Sequence, residues 1–289
     1  MYGNEYIAPK NIGEALDVLE RHPNAKIIAG GTDLLVQMRH RMIEPELIVD
    51  VGRLPFDSIL VDHEKVTIGS GVSHAQIGNS DLLQEHFPIL VQASQLVGGP
   101  SIRNRSTLGG NLMNASPAAD TIPPLLAYDA EVVIAGKNGS RTLPLSQFYT
   151  GYRQTKLAAG EILEAVQLPI PSASTTAHFI KHGNRRSLYI AVLNVAVRIS
   201  LSASGVVENA RIALGCVGPT VFLAKTAEAQ LQGKLIGEQT ILAAAQCAEE
   251  ESTPISDLRA SADYRSNIVA VLVRRALTEA AGELLGKGH

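Results

Sequence analysis

The most informative segment of the sequence is residues 102–120, which read Ile102-Arg103-Asn104-Arg105-Ser106-Thr107-Leu108-Gly109-Gly110-Asn111-Leu112-Met113-Asn114-Ala115-Ser116-Pro117-Ala118-Ala119-Asp120. It is polar, contains a glycine pair and several asparagines, and has little helical or strand periodicity. We therefore predict a long loop over residues 101–120. Long ordered loops in compact domains are usually functional, so this loop is a first candidate for a binding site.

A second glycine pair lies nearer the N-terminus, in Ala29-Gly30-Gly31-Thr32-Asp33, where a short apolar strand runs into a predicted helix. Without side chains, such pairs let backbone N–H groups approach a phosphate closely, and the start of a helix favours an anion. The spacing fits neither a P-loop nor a GxGxxG fingerprint. Each pair alone indicates no more than a tight turn, whereas two pairs in one chain favour a diphosphate held from two sides.

The rest of the chain predicts an α+β protein built in three parts. The first part is a small α/β unit, with a helix over residues 12–19 and strands over 27–29 and 47–51. The second part has strands over residues 58–61, 65–68, 131–135, 141–144 and 161–168, with helices over 73–79 and 87–97. After a Pro-Ile-Pro-Ser linker, the third part has an antiparallel hairpin of residues 191–201 and 206–215, followed by helices over 224–230, 237–249 and 262–285.

Composition narrows the function class. The chain has 289 residues, 45% hydrophobic and 18% charged, with a net charge of −3 and no tryptophan, so nothing in it favours nucleic-acid binding. No apolar run reaches the length of a membrane span, and residues 1–5 do not resemble a signal peptide, so we expect a cytoplasmic protein. Cys216 and Cys247 lack partners at metal-ligand spacing and are expected to be reduced, mostly buried thiols. His74 and His86 are expected at the surface.

Two segments resemble the flavin-binding loops of the medium subunits of molybdenum hydroxylases, of the xanthine dehydrogenase and carbon monoxide dehydrogenase type. They are residues 26–34, Lys-Ile-Ile-Ala-Gly-Gly-Thr-Asp-Leu, and residues 102–120. The resemblance covers essentially the whole chain. It implies a PCMH-type FAD-binding region of two α/β subdomains, over residues 1–56 and 57–170. A C-terminal α+β domain, with an antiparallel sheet and helices, is implied over residues 171–289.

The same resemblance implies which residues hold FAD. In the first loop they are Lys26, Ile27, Ile28, Ala29, Gly30, Gly31, Thr32, Asp33 and Leu34. Elsewhere they are Ser106, Thr107, Gly109, Gly110, Asn111, Asn114, Asp120, Ile162 and Lys181. No residue is predicted as a nucleophile, a general base or a metal ligand.

Three positions have alternative interpretations or depart from the family pattern. Asp120 is also a candidate for a helix cap, and Lys181, in a basic neighbourhood, for a solvated surface lysine. The family often has a bulkier residue near the flavin than Gly98-Gly99 supplies, which leaves open how the flavin face is covered.

The function implied by the resemblance is electron transfer. A large partner subunit would carry the molybdopterin centre, and a small one would carry two [2Fe-2S] clusters. The FAD of this chain would pass electrons on to NAD⁺, oxygen or a quinone, in a dimer of heterotrimers. Two other functions remain open. One is a self-contained flavoenzyme with its own substrate, for which Tyr189 and Arg198 are the candidate pocket residues, and the other is a non-catalytic assembly scaffold.

Overall fold

The computed structural model describes residues 5–286. Residues 1–4 and 287–289 lie outside the described residues. The prediction that the chain has no signal peptide depends mainly on residues 1–4 and is therefore not addressed by the structure. The first unit is a three-stranded parallel sheet of β1 (Glu5–Ile7), β2 (Lys26–Ile28) and β3 (Leu47–Asp50), in the order β1-β3-β2, with helices α1 (Ile12–Arg21) and α2 (Leu34–Arg39). Asn11 caps α1 by accepting a hydrogen bond from the Glu14 N–H at 2.9 Å.

The second unit is a five-stranded antiparallel sheet in the order β4-β5-β10-β6-β7. Its strands are β4 (Ile59–Val61), β5 (Lys65–Gly69), β6 (Glu131–Gly136), β7 (Gly139–Pro144) and β10 (Ile162–Pro169), with a small β8 (Tyr149–Gly151) and β9 (Gln154–Thr155) pair between them. Six short helices lie between β5 and β6, namely α3 (His74–Gly78), α4 (Asp81–His86), α5 (Pro88–Gln95), α6 (Pro100–Arg103), α7 (Leu108–Asn114) and α8 (Ile122–Ala127).

The prediction of a continuous loop over residues 101–120 is wrong, because part of α6 and all of α7 lie within it. Helix α7 has only seven residues, and two of them are glycines. Its apolar face consists of Leu108 and Leu112, four residues apart and fully buried. So short a helix shows no periodicity in the sequence, and tertiary burial together with a cap stabilises it. Helix α4 is another element that periodicity did not reveal.

The third unit is a four-stranded antiparallel sheet with its strands in chain order, namely β11 (Thr175–His182), β12 (Leu193–Leu201), β13 (Val207–Gly215) and β14 (Phe222–Leu223). The predicted hairpin is confirmed as β12 and β13, whereas β11 was not predicted. Three helices follow and cover one face of this sheet, α9 (Lys225–Leu231), α10 (Glu238–Glu250) and α11 (Ala262–Gly286). Among the described helices, none is long and apolar enough to cross a membrane.

Strand β12 is buried on both faces. Its odd-numbered residues, from Leu193 to Leu201, belong to the core formed with α9, α10 and α11. Its even-numbered residues face the second unit, where Ala196 joins the core of that unit and α8 packs against β12 and β13. The third unit therefore packs directly against α8, which begins two residues after Asp120.

Candidate functional site

The two glycine pairs belong to loops that touch each other. Residues 26–34 are the first loop and residues 106–114 the second loop. Gly30 lies against the backbone that leads into the second loop, and a Cβ on it would come within 1.8 Å of the Arg105 carbonyl oxygen. Only a residue without a side chain fits there. The predicted site residues of the two loops are therefore brought together, although they are far apart in the sequence.

The first loop has free backbone donors. The N–H groups of Gly30, Gly31 and Thr32 donate to no acceptor in the described part of the chain. Gly31 has a φ of 73°, a left-handed conformation that favours glycine and turns the chain into α2. Three successive free N–H groups beside a tight turn form a suitable cradle for phosphate oxygens.

The second loop uses its backbone differently. The Gly109 N–H donates to the Ser70 carbonyl at 2.8 Å, and a Cβ on Gly109 would come within 2.6 Å of the Ser70 side chain. The Thr107 hydroxyl caps α7 by accepting from the Gly110 N–H at 3.0 Å. These N–H groups already have partners. A ligand can therefore contact this loop only at the exposed surface of Gly110 and through the side chains of the loop.

Two buried polar side chains beside the second loop lack partners. The Ser106 hydroxyl is buried, and neither ring nitrogen of His74 has a hydrogen-bond partner in the described chain. The backbone N–H of His74 donates to the backbone carbonyl of Ser106 at 3.1 Å, which places the two residues side by side. His74 is fully buried, so its predicted surface position is wrong. Burial, with a smaller effect of Arg103, lowers the pKa of His74 to about 4.

Asp120 and Lys181 form a buried ion pair with an Nζ–Oδ2 distance of 2.6 Å, and the Lys181 side chain is only 1% exposed. Lys181 also donates to the Leu96 carbonyl at 3.0 Å and lies 4.6 Å from the centre of the Tyr189 ring. Lys181 is therefore not a solvated surface lysine. Asp120 does not cap a helix, because Thr121 occupies the cap position of α8 and makes no side-chain cap hydrogen bond.

Burial raises the pKa of Asp120 from its ordinary value of 3.8 to about 6. The charge of Lys181 and the hydrogen bonds from Lys181 and Asn194 oppose this effect. Asn194 donates from Nδ2 to the Ala119 carbonyl at 3.2 Å and to Asp120 at 3.4 Å. Burial therefore outweighs the ion pair and the hydrogen bonds in setting the pKa of Asp120.

Asn194 is a residue that the sequence reasoning missed. Its signal is that Asn194 is the one polar side chain within the apolar run 191–197, which we read only as part of a strand. The close packing at this position is visible at Gly215, where a Cβ would come within 1.9 Å of the Asn194 Oδ1 atom. A fully buried amide on an apolar strand is a signal for a specific hydrogen-bonded role.

The remaining predicted residues occupy varied positions. The Asn111 Oδ1 atom accepts from the Thr121 hydroxyl at 2.7 Å, which links α7 to the residue after Asp120. Ile162 is buried at the start of β10, in the core shared with the first unit. Lys26 and Asp33 are exposed at the two ends of the first loop.

The Gly98-Gly99 position is covered by side chains that follow it in the sequence. Gly98 has a φ of 46° and packs against Ile102, and a Cβ on Gly99 would come within 3.0 Å of the Leu188 side chain. Leu188 therefore occupies the space that a bulkier residue at position 99 would need.

Neither cysteine forms a disulfide: Cys216 is buried and Cys247 is partly buried. Burial raises the pKa of the Cys216 thiol to about 12. Within residues 5–286, no cluster of three His, Cys, Asp or Glu side chains is arranged to hold a metal ion.

Comparison with known proteins identifies two families along the chain. Residues 2–171 match the family described as the FAD binding domain in molybdopterin dehydrogenase. Residues 178–280 match the CO dehydrogenase flavoprotein C-terminal domain.

Similar proteins match over almost their full length. The chain is 32% identical to the carbon monoxide dehydrogenase medium chain of Hydrogenophaga pseudoflava, over 96% of each chain. It is 31% identical to the xanthine dehydrogenase FAD-binding subunit of Escherichia coli O157:H7, over 98% of this chain and 97% of the relative. A solved structure of carbon monoxide dehydrogenase from Hydrogenophaga pseudoflava superimposes with a TM-score of 0.92 at 34% identity, over 96% of each chain. The chain therefore belongs to the family of FAD-binding medium subunits of molybdenum hydroxylases.

Proposed function

We propose that this chain binds FAD where its two glycine loops meet and transfers electrons from the [2Fe-2S] clusters of a partner subunit to NAD⁺, oxygen or a quinone. The observation that carries the proposal is the set of three free N–H groups of Gly30, Gly31 and Thr32, in a loop packed directly against the second loop. This cradle suits the diphosphate of FAD. The family to which the chain belongs supports the same cofactor.

The proposed FAD contacts are the residues predicted from the sequence. Their chemistry fits a dinucleotide, because the first loop supplies backbone donors and the second loop supplies the Ser106 hydroxyl, which is buried without a protein partner. Asn111 and Asn114 add amide groups, and neither is fully buried. A buried polar atom without a partner costs free energy, so a ligand that hydrogen-bonds to it is favoured.

The Asp120–Lys181 pair is proposed to adjust the electrostatics of the site. FAD, when bound, supplies the electron-carrying chemistry, while the protein supplies binding, orientation and local charge. Lys181 is held by Asp120, by the Leu96 carbonyl and by the ring of Tyr189, so its ammonium group has a fixed position. A fixed positive charge favours whatever negative charge develops on a neighbouring ligand.

We further propose that the chain works with a large molybdopterin-binding subunit and a small [2Fe-2S] subunit, as a dimer of heterotrimers. Support comes from two relatives, which are named as a medium chain and as an FAD-binding subunit and are matched over almost their full length. The three-part division at residues 56 and 170 is proposed on the basis of the three sheets. The cytoplasmic location stays a prediction from the sequence.

Of the alternatives, a self-contained flavoenzyme would need polar groups free to bind its own substrate. Arg198 is instead paired with Asp129 at 2.6 Å and also donates to Asn209. The Tyr189 ring lies over Lys181, and its hydroxyl donates to the Lys181 carbonyl at 3.2 Å. Both candidate substrate residues therefore already have protein partners, which favours the electron-transfer proposal.

The test is the absorbance spectrum of the chain, purified alone and co-expressed with the products of neighbouring genes. The proposal predicts one FAD released per chain on denaturation, and flavin bleaching by the substrate of the complex only when the partner subunits are present. Bleaching of the isolated chain by a small substrate would support the self-contained enzyme. A complete complex without flavin would overturn the proposal and leave the scaffold function.

A further inference from the structure

Asp129 joins the second and third units through two arginines. It follows α8 and has a φ of 54°. Its two carboxylate oxygens bind Arg198 and Arg211, each at 2.6 Å. These arginines are direct cross-strand partners on β12 and β13. Two like charges opposite each other destabilise a sheet. The carboxylate of Asp129, which belongs to the neighbouring unit, binds both arginines and offsets this repulsion.

The face of β12 that binds Asp129 also binds Asp120. Asn194 and Arg198 are four residues apart, so their side chains lie on the same face of the strand. Asn194 donates to Asp120 and Ala119 at one end of α8, and Arg198 donates to Asp129 at the other end. One strand therefore binds both ends of a single short helix.

The two spacings match. Four residues of strand span about 13 Å at 3.3–3.4 Å per residue. The nine residue steps from Asp120 to Asp129, most of them helical, span about 14 Å at 1.5 Å per residue. Because both pairs of partners have the same spacing, α8 has one position along β12 in which both ends are bonded. A rigid shift of α8 along β12 would stretch the hydrogen bonds at both ends.

We propose that Asp129 is a positioning residue of the FAD site, an anchor at the far end of α8 that holds the buried Asp120–Lys181 pair in register with the two glycine loops. This inference rests on the proposed function for its consequence on FAD. Asp129 itself has no contact with Asp120 or Lys181, and it acts through α8 and β12. The anchor is charged because Arg198 is nearly buried, with its side chain 13% exposed, and needs a carboxylate partner.

The test compares two neutralised carboxylates in the same cluster. Asp129→Asn keeps a residue type that tolerates positive φ and removes only the charge that crosses between the units. The matched control is Glu228→Gln, because Glu228 lies 4.0 Å from Arg211 and accepts from the Ile212 N–H at 3.1 Å, entirely within the third unit. We expect Asp129→Asn to weaken FAD binding about tenfold, equivalent to ~1.4 kcal/mol. We expect the control to change the dissociation constant by less than about twofold.

A double-mutant cycle separates positioning from general destabilisation. If Asp129 acts through Asp120, then Asp129→Asn has little further effect on FAD affinity in an Asp120→Asn background. Additive effects of the two substitutions would overturn the inference, as would equal losses of affinity in Asp129→Asn and Glu228→Gln.

Hydrogen exchange of the FAD-free chain tests the anchor without any flavin. The amides of residues 125–128 should exchange at least about tenfold faster in Asp129→Asn than in wild type, and at the wild-type rate in Glu228→Gln. Arg198→Gln removes the other half of the anchor and should reproduce this result if Asp129→Asn folds poorly. Unchanged exchange in both anchor variants refutes the anchor, whereas a wild-type chain that binds no FAD refutes only the proposed function.

Discussion

Replacing Lys181 by methionine tests the buried ion pair most directly. Methionine keeps the length and apolar stem of the side chain but leaves Asp120, whose side chain is 10% exposed, without its cation. Removing one partner of a buried pair costs about 3–5 kcal/mol of unfolding free energy. We expect a loss of that size at pH 8, measured by urea unfolding of the purified chain.

The pH dependence of this loss gives its cause. The pKa of Asp120 is already raised to about 6 by burial, and removing the lysine that opposes the effect raises it further. A carboxyl whose folded-state pKa is raised binds a proton more tightly in the folded state, so its contribution to stability is present at low pH and is lost as pH rises through the folded pKa. Each pH unit below the new pKa recovers up to about 1.4 kcal/mol in the variant. The difference in unfolding free energy between the variant and wild type should therefore shrink by about 2 kcal/mol as the pH is lowered from 8 to 6.

The control is the double variant Lys181→Met with Asp120→Asn, which removes both charges. The double variant has no carboxyl at position 120, so its difference in unfolding free energy from wild type should vary with pH only because Asp120 titrates in wild type. At pH 8 this difference should be smaller than that of the single variant. A single variant that loses less than about 1 kcal/mol at pH 8, or whose loss does not change with pH, would refute the buried pair.

Three further outcomes are expected. Gly30→Ala drives a Cβ into the second loop and should weaken FAD binding by about tenfold or more in a fluorescence titration; Gly282→Ala, where a Cβ meets no atom within 4 Å, should bind FAD as wild type does. The pKa of His74 is lowered to about 4, so its contribution to stability is lost as pH falls below 6.5. Wild type should therefore lose about 2 kcal/mol relative to His74→Leu between pH 7 and pH 5 in urea unfolding, and parallel curves would contradict the buried neutral ring. Thiol labelling of the native chain at pH 8, followed by mass spectrometry, should leave Cys216 unmodified, because burial raises its pKa to about 12. Any label should lie on Cys247, and a labelled Cys216 would contradict its burial.

The elements that the sequence predicted well are those with long patterns. Alternation and apolar runs identify β12 and β13, and 3.6-residue periodicity identifies α1, α10 and α11, because these elements are long enough to bury a face of their own. Helix α7 and strand β11 were missed because their stability depends on neighbours that are distant in the sequence. Propensity carries little weight in so short a helix.

Sequence reasoning located the two glycine pairs, because glycine at a close approach is a local requirement that is visible in the letters of the chain. The resemblance of residues 26–34 and 102–120 to flavin-binding loops then implied the family and the cofactor. Three facts about the site became visible only in the folded chain: Gly30 touches the backbone at Arg105, Lys181 is paired rather than solvated, and His74 is buried. The physical reason is that burial and charge pairing are properties of groups brought together by folding. Lys181 lies 61 residues from Asp120 in the sequence, and no local pattern records their contact.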